Sequence, residues 1–323
     1  ITLDQFLRRE YFEVLLEQLP IVEWLLKVKR VNLRSGYEKV LNFLTVENVD
    51  YLCSVFPKQK EKHRLILARY ILKGENIDAR IIPILLKDKN FSIRRLIAEN
   101  LSKIDVPALK EHLLNDKHNK VRLHALYSLL KMNKITKEEW IPFLVDKSFW
   151  IRDLARFELK NENIDFALFY KKQIEEENNL PITILGLGEI EKIKEVAFLK
   201  KYLYHKNGLV RQSAAISIIK MDEYGIDDYL IEKLNSNDAQ VKKIAINHLS
   251  RHPDNETLTQ IRATYDKAEP INKIPILKLF SRVSGKRVYP DLLKGTQETD
   301  ETVKEFAAKY LMYWKRNSYT IFE

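Results

Sequence analysis

Cysteine, glycine and long apolar runs are scarce in this chain, and each shortage excludes a class of protein. The single cysteine, Cys53, excludes an internal disulfide framework and predicts a reducing compartment such as the cytoplasm. Only eight glycines occur among 323 residues, which disfavours a glycine-rich α/β nucleotide-binding fold and suits long helices with short connections. No run approaches 18 consecutive apolar residues, so the sequence predicts no membrane-spanning helix.

Sequence motifs that carry metal or nucleophile chemistry are missing as well. None of the seven histidines begins a His-Glu pair, and no His-Glu-x-x-His, Cys-x-x-Cys, EF-hand or Gly-x-Ser-x-Gly spacing occurs. Gly186 and Gly188 lack the third glycine of a phosphate-binding loop. We therefore expect a non-catalytic protein with no cofactor, no metal ion and no small-molecule substrate.

What the chain does contain is an internal repeat. An acidic residue is followed five residues later by an aliphatic residue, the starting position, and then by an arginine. Further apolar or small residues stand four and eight positions after the starting position. These offsets form one stripe of an α-helix. Sliding the pattern along the chain gives ten aliphatic or polar starting positions, 28 to 32 residues apart, at Leu33, His63, Ile93, Val121, Ile151, Ile182, Val210, Val241, Ile271 and Val303.

Each unit of about 30 residues also has a second apolar run upstream of the pattern, so it predicts a hairpin of two helices. One such hairpin buries too little apolar surface to be stable alone, whereas stacked hairpins share a continuous core. Two units depart from the pattern: Thr183 and Asn272 replace the basic residue, and Pro275 replaces the small one. No linker rich in Pro, Gly or Ser interrupts the series, which predicts one unbroken array.

The pattern resembles the HEAT repeat family, in particular the short bacterial type also found in phycobilisome lyases. Three sets of residues carry the resemblance most clearly: Asp88, Ile93 and Arg94; Asp116, Val121 and Arg122; Asp146, Ile151 and Arg152. The resemblance implies an all-α fold, a right-handed α-solenoid of about ten stacked HEAT-like hairpins. We expect the solenoid to cover residues 33–315, between N-terminal capping helices in residues 1–32 and a C-terminal tail in residues 316–323.

The formal net charge of +10 has two interpretations. A basic residue follows the starting position in eight of the ten copies, and such a column could follow a phosphate backbone. Acidic residues five positions before the starts offer it partners instead, so we predict a structural ladder of ion pairs between successive turns. Its predicted members are Asp88, Arg94, Asp116, Arg122, Asp146 and Arg152.

A protein-binding face is predicted beside this ladder. Offsets two, five, six and nine of each second helix point away from the core stripe, and in HEAT arrays such faces line the concave surface. Aromatic side chains mixed with arginine are typical of binding hot spots. Near the centre of the array the offsets select Arg95, Glu99, Tyr127, Asp153, Arg156, Phe157 and Lys160, and further along they select Lys273.

Three alternatives stay open. The first is a nucleic-acid-binding solenoid. The second is a HEAT-like DNA glycosylase for alkylated bases, since Trp150, Asp153 and Arg156 fall together near the centre. The third concerns the apolar residues 1–32, which either cap the array or lie beside a membrane, with Lys27 and Arg30 facing anionic headgroups. A start at Ile1 rather than Met fits part of a longer, cytoplasmic or membrane-anchored protein.

Overall fold

The computed structural model describes residues 49–74, 77–104, 108–190, 193–222, 225–251 and 253–318. This part of the chain is all-helical, with 18 α-helices, several short 3-10 turns and no strand. The chain divides into two compact units, residues 1–159 and 160–323, which we call unit 1 and unit 2. Within the described ranges no helix is long and apolar enough to cross a membrane.

Unit 1 contains eight of these helices, which alternate along the chain between first and second members of hairpins. The second members are α2, α4, α6 and α8. The helices are α1 (Val49–Val55), α2 (Glu61–Lys73), α3 (Ile82–Leu86), α4 (Phe91–Glu99), α5 (Leu109–Leu114), α6 (Asn119–Lys131), α7 (Lys137–Trp140) and α8 (Phe149–Glu158).

Unit 2 continues the alternation with ten helices, of which the even-numbered ones are the second members. The helices are α9 (Phe166–Glu175), α10 (Leu180–Gly188), α11 (Val196–Lys200), α12 (Gly208–Met221), α13 (Asp227–Leu234), α14 (Ala239–Leu249), α15 (Asn255–Lys267), α16 (Pro270–Phe280), α17 (Tyr289–Gly295) and α18 (Glu301–Ser318).

Two kinds of packing recur inside each unit. The two helices of a hairpin pack against each other, as α5 does on α6 and α13 on α14, and each second helix also packs against the second helix of the next hairpin. A hydrogen bond also joins neighbouring hairpins: the Ser128 hydroxyl of α6 donates to the Ala98 carbonyl of α4 at 2.6 Å. Successive hairpins are therefore stacked in sequence order within each unit.

The helices of the repeat begin at residues that the turns supply. Asn90 and Asn207 accept the backbone N–H two residues on. Asp165 accepts the N–H groups two and three residues on at the start of α9, and Asp254 accepts the one three residues on at the start of α15. Such N-caps satisfy amide groups that have no partner inside the helix. At these four helices a polar residue of the preceding turn thus marks where the helix starts.

The predicted core stripe is buried wherever the pattern is regular. In α6 Val121, Ala125 and Leu129 are at most 2% exposed, and the matching residues of α4 and α8 are similarly covered. Small residues between second helices let those helices approach closely. At Gly188 in α10, an added Cβ would lie 2.4 Å from the Cβ of Ser217 in α12.

The predicted register of α16 is wrong by one residue. Ile271, chosen as a core position, is 69% exposed, while Asn272 is buried together with Ile276 and Phe280. Asn272 fills a stripe position usually taken by an aliphatic residue because its side chain is hydrogen-bonded, accepting from Lys242 and donating to Asn235. Because the first stripe position of this copy is polar, the spacing of apolar residues did not reveal where the copy starts. In α10 the same shift places buried Thr183, rather than half-buried Ile182, at the start.

Only part of the predicted ends of the chain lies within the described residues. Residues 1–32, with the predicted cap, and the first start at Leu33 lie outside them. The predicted boundary at residue 315 falls inside α18, which runs to Ser318. Trp314 in that helix is buried and donates its indole N–H to the Val283 carbonyl at 3.3 Å. Cys53 is only half-buried, and burial raises the pKa of its thiol.

Candidate binding face and ion-pair ladder

Arg94 and Asp116 form a buried ion pair of the ladder. The Arg94 guanidinium donates two hydrogen bonds to the Asp116 carboxylate, at 2.6 and 3.0 Å, and a third to the Asp88 carbonyl in its own turn, at 2.6 Å. Both side chains are at most 5% exposed. One guanidinium therefore fixes the turn before α4 and ties it to the turn before α6.

The same arrangement repeats on both sides of that pair. Arg64 binds Asp88 at 2.6 Å, and Arg122 binds Asp146 at 2.6 Å while donating to the Asp116 carbonyl at 2.7 Å. Arg152 donates to the Asp146 carbonyl at 2.6 Å. The three predicted aspartates thus lie in turns of unit 1, and the three predicted arginines lie near the starts of α4, α6 and α8. Asp88 and Asp116, and likewise Asp146, each join the arginine of one hairpin to the turn of the next.

Each ladder aspartate also accepts a hydrogen bond from a backbone N–H of its own turn. The Asp116 carboxylate accepts the backbone N–H of His118 at 2.8 Å, and Asp88 and Asp146 accept the equivalent amides. Burial by itself raises the pKa of Asp116, but the hydrogen bonds from Arg94 and from the His118 amide, with the charge of Arg94, outweigh it and leave this pKa below its usual range. The carboxylate is therefore ionised in the folded chain at neutral pH.

In unit 2 the ion pairs differ from those that the repeat spacing predicted. Arg211 pairs with Asp238 at 2.5 Å, three rather than five positions before Val241. Asp266 has the predicted spacing, five positions before Ile271, but it binds Lys294 at 2.5 Å. Lys273, predicted for the open face, binds Glu298 at 2.8 Å. The one-residue shift in α16 explains the last case, because it puts Lys273 at the basic position of the repeat.

The predicted binding face begins with a polar cluster on α4 and α6. The Arg95 guanidinium lies 3.2 Å from the Glu99 carboxylate, and the same Glu99 oxygen lies 3.2 Å from Nδ1 of His124. Each of the three side chains is about one-third exposed. Burial lowers the pKa of His124, against the opposing charge of Glu99, so the imidazole is neutral at pH 7. Sequence reasoning missed His124 because it occupies an offset between the core and the face.

Two aromatic side chains continue the face at the offset that Glu99 occupies in α4. Tyr127 of α6 is 44% exposed and Phe157 of α8 is 59% exposed. Both stand six positions after their repeat starts, so the prediction that this offset points outward agrees with their exposure. Large aromatic rings that are left open in equivalent places of successive helices provide apolar contact area at low entropic cost.

The remaining predicted face residues differ in placement. Asp153 is exposed and lies 3.3 Å from Arg156. The Arg156 side chain is only 11% exposed, which contradicts its selection as an open position. Offset five faces a neighbouring second helix rather than solvent, since its counterparts Ala98 and Leu126 are fully buried. Lys160 is exposed and is the first residue of unit 2.

The residues considered for base excision have a simple arrangement. Trp150 is 65% exposed in the first turn of α8, with its ring edge-to-face with that of Phe149. The Asp153 side chain is 57% exposed. Among the described residues, no group of three or more His, Cys, Asp or Glu side chains lies close enough to hold a metal ion.

Comparison with known proteins adds no identification, since neither a protein-family model nor a curated protein matches the chain.

Proposed function

We propose that this chain is a HEAT-type α-solenoid scaffold that binds a protein partner and does not catalyse a reaction. Support for the architecture comes from hairpins stacked in sequence order within each unit, and from ion pairs that recur between turns 22 to 27 residues apart. We further propose that it acts in the cytoplasm, on the basis of its single, half-buried cysteine.

The observation that carries the binding proposal is the open face of α4, α6 and α8. It consists of Arg95, Glu99, Tyr127, Asp153 and Phe157, and we call it the aromatic face. Isolated exposed apolar residues need no explanation, but Tyr127 and Phe157 recur at one repeat position beside a charged cluster. Aromatic anchors within a charged rim are the composition of a protein-binding hot spot.

We do not propose base excision. A carboxylate that acts on a flipped base needs a shielded site, where its charge is worth more than in water. Asp153 is 57% exposed and already lies beside Arg156, so its surroundings resemble an ordinary surface ion pair.

An affinity pull-down with a matched control tests the aromatic face. We expect the double variant Tyr127→Ala/Phe157→Ala to lose proteins that the wild-type chain retains, because it removes both anchors. Leu168→Ala/Ile271→Ala removes two side chains of unit 2 that are 67% and 69% exposed, and it should retain them. Quantitative mass spectrometry of the eluates measures the difference.

Circular dichroism melts of both double variants establish that each is folded. Equal retention by the two variants, or loss by both, would remove the aromatic face as the binding site.

A further inference from the structure

A second surface of unit 1 is formed by the turns that precede α4, α6 and α8. Directly after each ladder aspartate stands a lysine, Lys89, Lys117 or Lys147, and all three are exposed. Lys120 is likewise exposed in the first turn of α6. We call these four lysines, together with Phe149 and Trp150, the turn ridge. The ladder pairs hold the three turns in register, so the lysines recur once per hairpin.

The positive charge of the turn ridge is not neutralised. In the part of the chain that the structure describes, none of the four lysines forms an ion pair, although many other lysines of the chain do. The aspartates of the same turns are occupied by Arg64, Arg94 and Arg122. The turns therefore present lysine charge to solvent while their carboxylates are turned inward.

A cleft lies between the first two turns of the ridge. Its volume is about 600 Å³, and its lining includes Lys87, Lys89, Lys117, His112 and Glu111. Three lysines and a histidine thus surround an open space with one unpaired carboxylate among them. The positive ends of α4 and α6 add to the field, since both helices begin at these turns.

Aromatic rings accompany the charges. Phe91 and His118 are stacked with ring centroids 3.7 Å apart, and Lys120 lies 6.0 Å from the Phe91 centroid. At the other end of the ridge Trp150 is 65% exposed and Phe149 is 40% exposed. An indole ring open to solvent, three residues after Lys147 in the chain, offers a platform on which a nucleobase can stack.

We propose that the turn ridge of unit 1 binds single-stranded nucleic acid, with the lysines on successive phosphates and Trp150 stacked on a base. Helices packed about 8 to 10 Å apart space the lysines on the scale of one or two nucleotides of an extended strand. An acidic protein segment would match the charge, but it would offer no flat ring to stack on the exposed Trp150 side chain.

Unit 2 provides an internal comparison. Four residues before the repeat start, where unit 1 has its three lysines, unit 2 carries Lys206 before α12, Asn237 before α14, Ala268 before α16 and Thr299 before α18. Three consecutive turns of unit 1 thus carry an exposed lysine at this position, whereas only one of these four turns of unit 2 does. The turn ridge uses different side chains from the aromatic face, so each proposal survives the failure of the other.

Fluorescence anisotropy with a labelled oligo-dT strand tests the ridge in the full-length chain. We expect the chain to bind this strand. The logarithm of the binding constant should fall linearly with the logarithm of salt concentration, with a slope of about −3 for four phosphate contacts. Lys89→Glu/Lys117→Glu/Lys147→Glu should reduce the magnitude of that slope by about 2 and weaken binding at least tenfold, as roughly 0.7 per contact predicts. Trp150→Ala should weaken binding at least about fivefold.

The control is Lys243→Glu/Lys278→Glu/Lys309→Glu, which makes the same change of net charge at three exposed lysines of unit 2. Equal losses in both triple variants would show general electrostatic attraction and overturn the proposal. Tighter binding of a labelled poly-glutamate peptide of equal charge than of oligo-dT would overturn it in favour of an acidic protein partner. No measurable binding of oligo-dT at low salt would overturn it outright.

Discussion

Replacing Arg94 by alanine should lower the free energy of unfolding by about 3–5 kcal/mol, the usual cost of breaking a buried ion pair by removing one partner. The substitution leaves the buried Asp116 carboxylate without its charged partner. Its side chain is 4% exposed, and two of its hydrogen bonds come from Arg94. The carbonyl of Asp88 also loses its donor. Urea unfolding of the variant and the wild type gives the difference.

Arg80→Ala is the matched control. Arg80 also forms hydrogen-bonded ion pairs, at 2.7 Å with Asp50 and 2.6 Å with Asp78, but its side chain is 57% exposed. Exposed pairs contribute little because water and salt screen them, so the control should lose far less stability. If Arg94→Ala cost no more than Arg80→Ala, the ladder would not be a stabilising element of the fold.

The ladder also predicts a direction for the pH dependence. The pKa of Asp116 is lower in the folded chain than in the unfolded chain, where an aspartate titrates near 3.9. Its contribution to stability is therefore complete above about pH 4 and is lost as the pH falls through the folded-state pKa. Arg94→Ala should make the loss of stability in acid shallower, because the interaction that lowers this pKa is gone.

The corrected register of α16 gives the second large effect. Ile276→Ala should cost about 2–5 kcal/mol, because Ile276 is fully buried and its truncation leaves a cavity. Ile271→Ala, the same substitution five residues earlier, should change stability by less than about 0.5 kcal/mol, since Ile271 is 69% exposed. Thermal or urea unfolding separates the two.

These paired variants compare two registers of one helix. A larger loss for Ile271→Ala than for Ile276→Ala would restore the register that the spacing of apolar residues predicted and would place Asn272 at the surface.

Much of the fold could be predicted from the sequence because the repeat samples the same physical constraints many times. A stripe at offsets zero, four and eight must be buried in every copy, so one irregular residue does not hide it. Where a copy departs from the pattern, that redundancy is lost. Asn272 can be buried because it is hydrogen-bonded to Lys242 and Asn235. These partners are 30 and 37 residues away, so no local property of the sequence predicts them.

The candidate site was less predictable for a related reason. A helical wheel places a residue relative to its own axis but carries no information about which neighbour covers it. Offset six is open at Tyr127 and Phe157, whereas offset five is closed at Leu126 and Arg156 by side-by-side packing of second helices. His124 joined the site only through its contact with Glu99, which requires the distance between two helices.

The central claim is that the aromatic face of unit 1 binds a protein partner, and titration of the partner recovered by the wild-type chain tests it most directly. Truncation of hot-spot aromatics costs at least about 2 kcal/mol, so Tyr127→Ala/Phe157→Ala should raise Kd at least about 30-fold. The turn-ridge variant Lys89→Glu/Lys117→Glu/Lys147→Glu should leave Kd within about twofold. An unchanged Kd for the aromatic double variant, measured on a folded protein, would contradict the claim.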